Sequence, residues 1–286
     1  MNRVGIIGGS GLYDIEGIKD IQKVEVGTPY GKPSDVFTMG KLSGREVVFL
    51  PRHGSGHTIA PTQLPFRANI YGMKKLGVVQ IIAVSAVGSM KEEIRPLDIV
   101  IPDQFFDRTK ARVDTFFGDG IVAHVSMADP VCAGVADGLH RAAKELSLRV
   151  HKGGTYICIE GPQFSTRAES LVYRMLGVSV IGMTNLQEAR LAREAEICYA
   201  TLALSTDYDC WHAEEKPVTA EMVIANLKKN VENAKKIIKV AIPQLPMVRN
   251  CPCSVALKDA IITRPEAIPQ NRKEELDLII GKYVTG

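Results

Sequence analysis

Several signals are missing from this 286-residue chain, and each absence removes a class of function. Net charge is only +3, from 35 basic and 32 acidic residues, too balanced for a nucleic-acid or anionic-membrane partner. No apolar run reaches the roughly 18 residues that a membrane span requires. The opening "MNRVGIIGGSG" has neither the apolar core nor the cleavage site of a signal peptide and reads directly as a strand, so the expected location is cytoplasmic. There is no internal repeat, low-complexity tract or linker, which predicts one domain over 1–286. The six cysteines, at 132, 158, 198, 210, 251 and 253, are too dispersed for a zinc ribbon. "CPC" at 251–253 is compatible with redox chemistry, a local disulfide or a pairing elsewhere. Two free thiols in a loop are the expected state in a reducing compartment.

What is present is an alternation of short β-rich runs with helical patterns. The runs are 3–9, 46–51, 80–86, 97–102, 155–161, 178–183 and 198–206; the helices fall near 64–76, 130–147, 167–176 and 185–197. This predicts an α/β fold whose central strands are buried on both faces. An amphipathic helix is expected over 219–240, capped by Thr219 and stopped by "IPQLP" (242–246). Residues 247–268 have weak periodicity, and a final helix is expected near 271–283.

Small and polar residues collect where these strands end, the usual place for ligands in open α/β sheets. In "GIIGGSGLY", clustered glycines and Ser10 suit an anion. The third glycine of a dinucleotide fingerprint would fall at Asp14, which disfavours a nicotinamide-dependent dehydrogenase. In "PRHGSGH" (51–57), Arg52 and His53 can hold an anion. His53 and His57 have metal-ligand spacing only if helical, and the intervening Gly-Ser-Gly opposes a helix. "VSAVGS" (84–89) adds Ser85 and the Ala86 N–H as donors. "EGPQFSTRAES" (160–170) offers Phe164 and Ser165, and "IGMTNLQEA" (181–189) offers Met183 and Thr184, where a core role competes for the ring and the methionine. "LSTDYDCW" (204–211) ends an apolar strand with Asp207 and Asp209. In an extended chain these share one face. Their proximity is expected to raise at least one pKa, which suits proton donation to a departing heterocycle.

Taken in order from Val4 to about Leu245, "GGSGLY", "PRHGSGHTIAP", "SAVGS", "EEIRPLDIVIPDQFFDRT", "HVSMADP", "EGPQFSTRAES", "GMTN" and "STDYDCW" resemble the motifs of the purine nucleoside phosphorylase superfamily, trimeric branch, and within it the methylthioadenosine phosphorylases. The resemblance implies a central mixed sheet partly closed into a barrel and surrounded by helices. It implies reversible phosphorolysis of 5′-methylthioadenosine to adenine and 5-methylthioribose 1-phosphate; the small Ala220, at the position that meets the methylthio group, adds an expectation of some adenosine activity. No metal or organic cofactor is implied, inorganic phosphate being the co-substrate, and the assembly implied is a homotrimer or hexamer.

Carried over by position, Ser10, Arg52, His53, Ser85, Ala86 and Thr184 would bind phosphate. Phe164, Ser165, Met183, His57, Ala220 and Val223 would contact the nucleoside, and His124 would serve a neighbouring subunit's 5′ pocket. Asp207 would meet N7 of the purine and Asp209 its exocyclic amine. An ionised carboxylate accepts from a 6-amino group and opposes a 6-oxo group, so Asp207 where an amide would suit 6-oxopurines favours adenine. "NLQEA" lacks the proline that many relatives carry before the glutamate, and the "CPC" segment resembles one that supports disulfides in thermophilic relatives. The rival readings are a phosphorylase acting on inosine, guanosine or 5′-methylthioinosine, a nucleoside hydrolase using water, and a non-catalytic nucleoside-binding protein.

Overall fold

The structure, a computed structural model, describes residues 2–9, 12, 14–212 and 220–284, without the side chains of 220–225. The described strands are β1 (Arg3–Gly8), β2 (Lys19–Val24), β3 (Phe37–Leu42), β4 (Arg45–Pro51), β5 (Val78–Ser89), β6 (Ile99–Ile101), β7 (Gln104–Arg108), β8 (Val150–Lys152), β9 (Thr155–Ile159), β10 (Val180–Gly182) and β11 (Cys198–Asp207). The helices are α1 (Phe66–Lys75), α2 (Ala133–Glu145), α3 (Arg167–Met175), α4 (Asn185–Glu194), α5 (Ala220–Gln244) and α6 (Gln270–Ile280).

All eleven strands join one mixed sheet, eight of them in the order β2-β3-β4-β1-β5-β10-β9-β7. Its centre is parallel: β1 pairs with β4 and β5, and β5 pairs along most of its length with β11. The pairing branches at β5. One arm runs through β11 to β6 and β8; the other begins where Gly88 and Ser89 meet Ile181 and Val180 of β10 in antiparallel register.

Successive side chains of a strand point to opposite faces, and the apolar runs fill both. Ile6, Val47, Phe49, Ile82 and Leu202 pack with Leu139 of α2 and Ile238 of α5. Their neighbours Ile7, Val48, Leu50, Ile81 and Tyr199 pack with Ile70, Leu191 and Leu276 of α1, α4 and α6. Each buried aliphatic side chain contributes about 1.5–3 kcal/mol relative to exposure. This two-sided burial is why β1 and β11 read as continuous apolar runs rather than as alternating ones.

The long helix does not stop at 242. It runs through Pro243 to Gln244, and local contacts explain why. Proline removes the N–H that would bond the carbonyl four residues earlier. That carbonyl, of Lys239, instead accepts from the Ser43 hydroxyl at 3.3 Å. The Arg45 guanidinium then serves the terminal carbonyls of Ile242 and Leu245 at 3.1 and 3.0 Å. The expected cap, Thr219, lies outside the described residues.

Candidate active site

The carboxyl ends of β1, β4 and β11 and the second half of β5 converge on a cavity of about 610 Å³, closed on one side by Leu227 and Val231 of α5. Of the residues singled out from sequence, it is lined by Arg52, His53, His57, Ser85, Ala86, Phe164, Ser165, Met183, Thr184, Asp207 and Asp209. Ser10 and the side chains of Ala220 and Val223 lie outside the described residues. His124 is exposed and does not line this cavity; its backbone N–H donates to Ala260 O.

The two aspartates reach the cavity differently from the expectation of one extended face. β11 ends at Asp207, and Asp209 takes a left-handed conformation with φ +53°. The chain thus turns, and the Asp209 N–H donates to Asp207 Oδ1 at 2.8 Å. The second Asp207 oxygen accepts from the Thr206 hydroxyl at 2.6 Å. The Asp209 carboxylate accepts from the Ser170 hydroxyl, in the first turn of α3. That turn is fixed by a reciprocal cap: the Thr166 hydroxyl accepts from Glu169 N–H, and the Glu169 carboxylate accepts from Thr166 N–H at 2.8 Å.

Both carboxyls are raised from the ordinary aspartate value. Burial is the main cause in each case, opposed by the hydroxyl bonds from Thr206 and Ser170. Mutual repulsion, the cause expected from their spacing, is the smallest contribution to Asp207, and the like charge acting on Asp209 is Glu169.

Gly88 makes room for Asp207. A Cβ at this position would lie 3.0 Å from Asp207 Oδ1 and 2.9 Å from Ile181 Cγ2. The loop that follows is tied down by Trp211, whose Nε1 donates to Ser89 O at 2.7 Å under the Arg174 guanidinium. Asn226 and Asn230 of α5 donate to the carbonyls of Thr206 and Ser205 at 2.7 and 2.8 Å. Helix α5 therefore braces the end of β11 that carries the acids.

Arg52, which also lines the cavity, is engaged with the protein. Its Nε and Nη2 pair with the Glu188 carboxylate at 2.5 and 3.1 Å, and Nη1 donates to Val84 O at 2.8 Å. The pair is 3% and 1% exposed. Glu188 continues into a buried network: it accepts from Tyr199 OH at 3.0 Å, Asn185 donates to Tyr199 at 2.9 Å, and Tyr156 OH donates to Asn185 at 3.1 Å. Tyr156 lies 3.4 Å from Ser85 Oγ. Burial raises both phenols, keeping them neutral. A continuous polar floor thus links Arg52 to Ser85.

His53 Nδ1 lies 2.8 Å from Ile59 O. A carbonyl only accepts, so Nδ1 carries the proton. Burial lowers the His53 pKa to about 4, against the raising effect of that bond, which leaves Nε2 as an acceptor at neutral pH. The His53 and His57 rings stack at 4.3 Å, and Gly54, His57 and Gly56 have φ of +71°, +57° and +78°, so the segment between them is not helical.

Phe164 is 52% exposed, at the cavity rather than in the core. The Ser165 hydroxyl is buried with no hydrogen-bond partner among the described residues, a costly state for a polar group. The Met183 carbonyl is bound by Arg112, which also holds Glu160 O and donates to Gln187 Oε1 at 3.0 Å. Glu188, Asn185, Tyr156, Tyr199 and Arg112 were not singled out from sequence. A buried-helix glutamate next to a run of polar residues in "TNLQEA" is the one local cue that could have found part of this set.

A sequence profile described as the Phosphorylase superfamily matches residues 3–243. The chain belongs to this superfamily. It is similar to the S-methyl-5′-thioadenosine phosphorylase of Geobacter sulfurreducens, 61% identical over 282 residues, covering 98% of this chain and 99% of that one. A methylthioadenosine phosphorylase from an Antarctic soil metagenomic library superposes with a TM-score of 0.93 at 51% identity, over 97% of this chain and 98% of that one. The Schistosoma mansoni methylthioadenosine phosphorylase solved with adenine gives a TM-score of 0.81 at 33% identity, covering 98% of each chain.

Proposed function

We propose that the chain catalyses phosphorolysis of 5′-methylthioadenosine, releasing adenine and 5-methylthioribose 1-phosphate, with adenosine as a secondary substrate. The observation that carries this reading is one cavity lined both by Asp207 and Asp209 and by Arg52, His53, Ser85 and Thr184. Relatives named for this activity, matched over nearly the whole of both chains, support it.

The chemistry follows from the charges that develop. As the C1′–N9 bond breaks, positive charge builds on the sugar and negative charge on the base. Phosphate held beneath the sugar stabilises the first and forms the new C1′–O bond. Asp207, its proton affinity raised by burial, supplies or shares a proton at N7, while Asp209 accepts from the exocyclic amine. In phosphate binding, Ser85, the Ala86 N–H and Thr184 donate, with Ser10 in the glycine loop. Arg52 contributes positive charge, fixed in place by Glu188. His53 Nε2 is an acceptor for the hydroxyl of hydrogen phosphate. Phe164 covers the purine; Met183, His57 and the Ser165 hydroxyl face the sugar. Ala220 and Val223 receive the methylthio group.

On this reading the reaction uses no metal or organic cofactor. The enzyme works in the cytoplasm as a trimer or hexamer in which exposed His124 serves a neighbour's pocket. Among the described residues, no helix is long and apolar enough to cross a membrane.

The test is free-base release from methylthioadenosine with and without phosphate. Phosphate-dependent adenine release, fastest from this substrate, is expected. Equal release in water alone would establish a hydrolase and overturn the assignment.

A further inference from the structure

Cysteines distant in sequence meet in space. Cys132 caps α2, Cys198 begins β11, and Cys251 and Cys253 flank Pro252 in the segment after α5. Their sulfurs all lie within 4.8 Å of one another. The Sγ atoms of Cys198 and Cys251 are 3.3 Å apart, and those of Cys132 and Cys251 are 3.9 Å apart. Cys132, Cys198 and Cys253 are buried and Cys251 is half-buried. This differs from two loop thiols: the segment folds back so that its cysteines complete a four-sulfur group.

The geometry matches a tetrahedral thiolate site. Zinc–sulfur bonds of about 2.3 Å place neighbouring sulfurs about 3.8 Å apart, close to the separations seen here. Disulfide sulfurs lie at about 2.05 Å, and Cys251 is close to both Cys132 and Cys198 rather than joined to either. The four cysteines come from three separate parts of the chain, and four thiolates would complete a closed tetrahedral site. The backbone supports the arrangement independently. Cys132 N–H donates to Tyr199 O at 2.8 Å, locking the cap of α2 to β11. Leu257 N–H donates to Glu196 Oε1 at 3.1 Å, and Arg249 to Glu196 O at 2.6 Å, holding the C-terminal segment beside the start of β11.

We propose that Cys132, Cys198, Cys251 and Cys253 bind one thiophilic divalent cation, zinc in the cell, as a structural centre that fastens the C-terminal segment to α2 and β11. Binding displaces the thiol protons to solvent, since the thiolate is the ligand. The centre is remote from the chemistry. Cys198 and Asp207 occupy opposite ends of β11, about 30 Å apart along an extended strand of this length, and no cysteine lines the cavity.

The experiment titrates cobalt(II) into full-length protein reduced and freed of metal, following sulfur-to-cobalt charge transfer and the visible bands of tetrahedral cobalt, with thiol reactivity measured in parallel. One equivalent should bind with a four-thiolate spectrum, protect four of the six thiols from alkylation, and be displaced by one equivalent of zinc. Cys251→Ser and Cys253→Ser should each lose the four-thiolate spectrum while retaining phosphorolysis. The proposal is overturned if the reduced wild-type protein gives no such spectrum, as when the thiols serve only as two disulfides, or if either variant binds cobalt as wild type does. The wild-type titration decides the matter even where a variant fails to fold.

Discussion

The N–H of Asp209 donates to the carboxylate of Asp207 at 2.8 Å. The second acid of the pair thus orients the first through its backbone, while its own carboxylate lines the cavity and is held by Ser170. A turn does what two same-face positions on a strand could not: it adds a hydrogen bond to a buried carboxylate that would otherwise be expensive to keep.

Gly88→Ala tests that placement. The new Cβ would stand 3.0 Å from Asp207 Oδ1, with Ile181 closing the other side, so the carboxylate must shift. Turnover should fall by up to about 10²-fold, as for misplacements on the order of 1 Å, with the KM for phosphate unchanged. Wild-type kcat would show that Asp207 needs no such fixed position.

Glu188→Gln leaves the Arg52 charge buried without its partner. Removing one member of a buried ion pair costs about 3–5 kcal/mol, and the tyrosine–asparagine network loses an anchor with it. Urea unfolding of the two proteins measures the difference. A loss below about 1 kcal/mol would mean that Arg52 is neutralised by other groups.

Glu194 governs a pH effect away from the cavity. Burial lifts its carboxyl from 4.5 to about 7, against hydrogen bonds from Phe116 N–H and Thr115. Below pH 4.5 the group is protonated in both folded and unfolded chains and contributes no difference. As pH rises from there to about 7, the unfolded chain ionises first and folded stability declines, by about 3 kcal/mol in all. Glu194→Gln should therefore gain on wild type through this window and hold a constant advantage above it. A difference in unfolding free energy that does not vary with pH would contradict the shift.

The features legible in sequence were those written in contiguous residues. β1 and β11 are buried on both faces, so their apolar runs announced themselves, and loops such as "PRHGSGH" and "STDYDCW" carry their chemistry within a few positions. β2 was not legible because "KDIQKV" is exposed along most of its length and has no apolar pattern to read. The floor beneath Arg52 was hidden for another reason. Tyr156, Asn185, Glu188 and Tyr199 come from three elements and become neighbours only when β9, α4 and β11 pack. The four-cysteine group is the extreme case, joining positions up to 121 residues apart (132 to 253). Only tertiary structure turns such dispersed residues into a site.

The central claim is that a buried acid pair reads a 6-amino purine during phosphorolysis. It is tested most directly by the ratio of kcat/KM for methylthioadenosine over methylthioinosine, in wild type and in Asp207→Asn. The wild-type ratio should be large, on the order of 10⁴, because a 6-oxo group leaves buried acceptors unpaired. Asp207→Asn should reduce kcat on methylthioadenosine by about 10²–10⁴-fold and collapse the ratio, with turnover of the 6-oxo substrate retained or increased. An unchanged ratio, or wild-type turnover of methylthioadenosine by the variant, would remove Asp207 from both recognition and proton transfer.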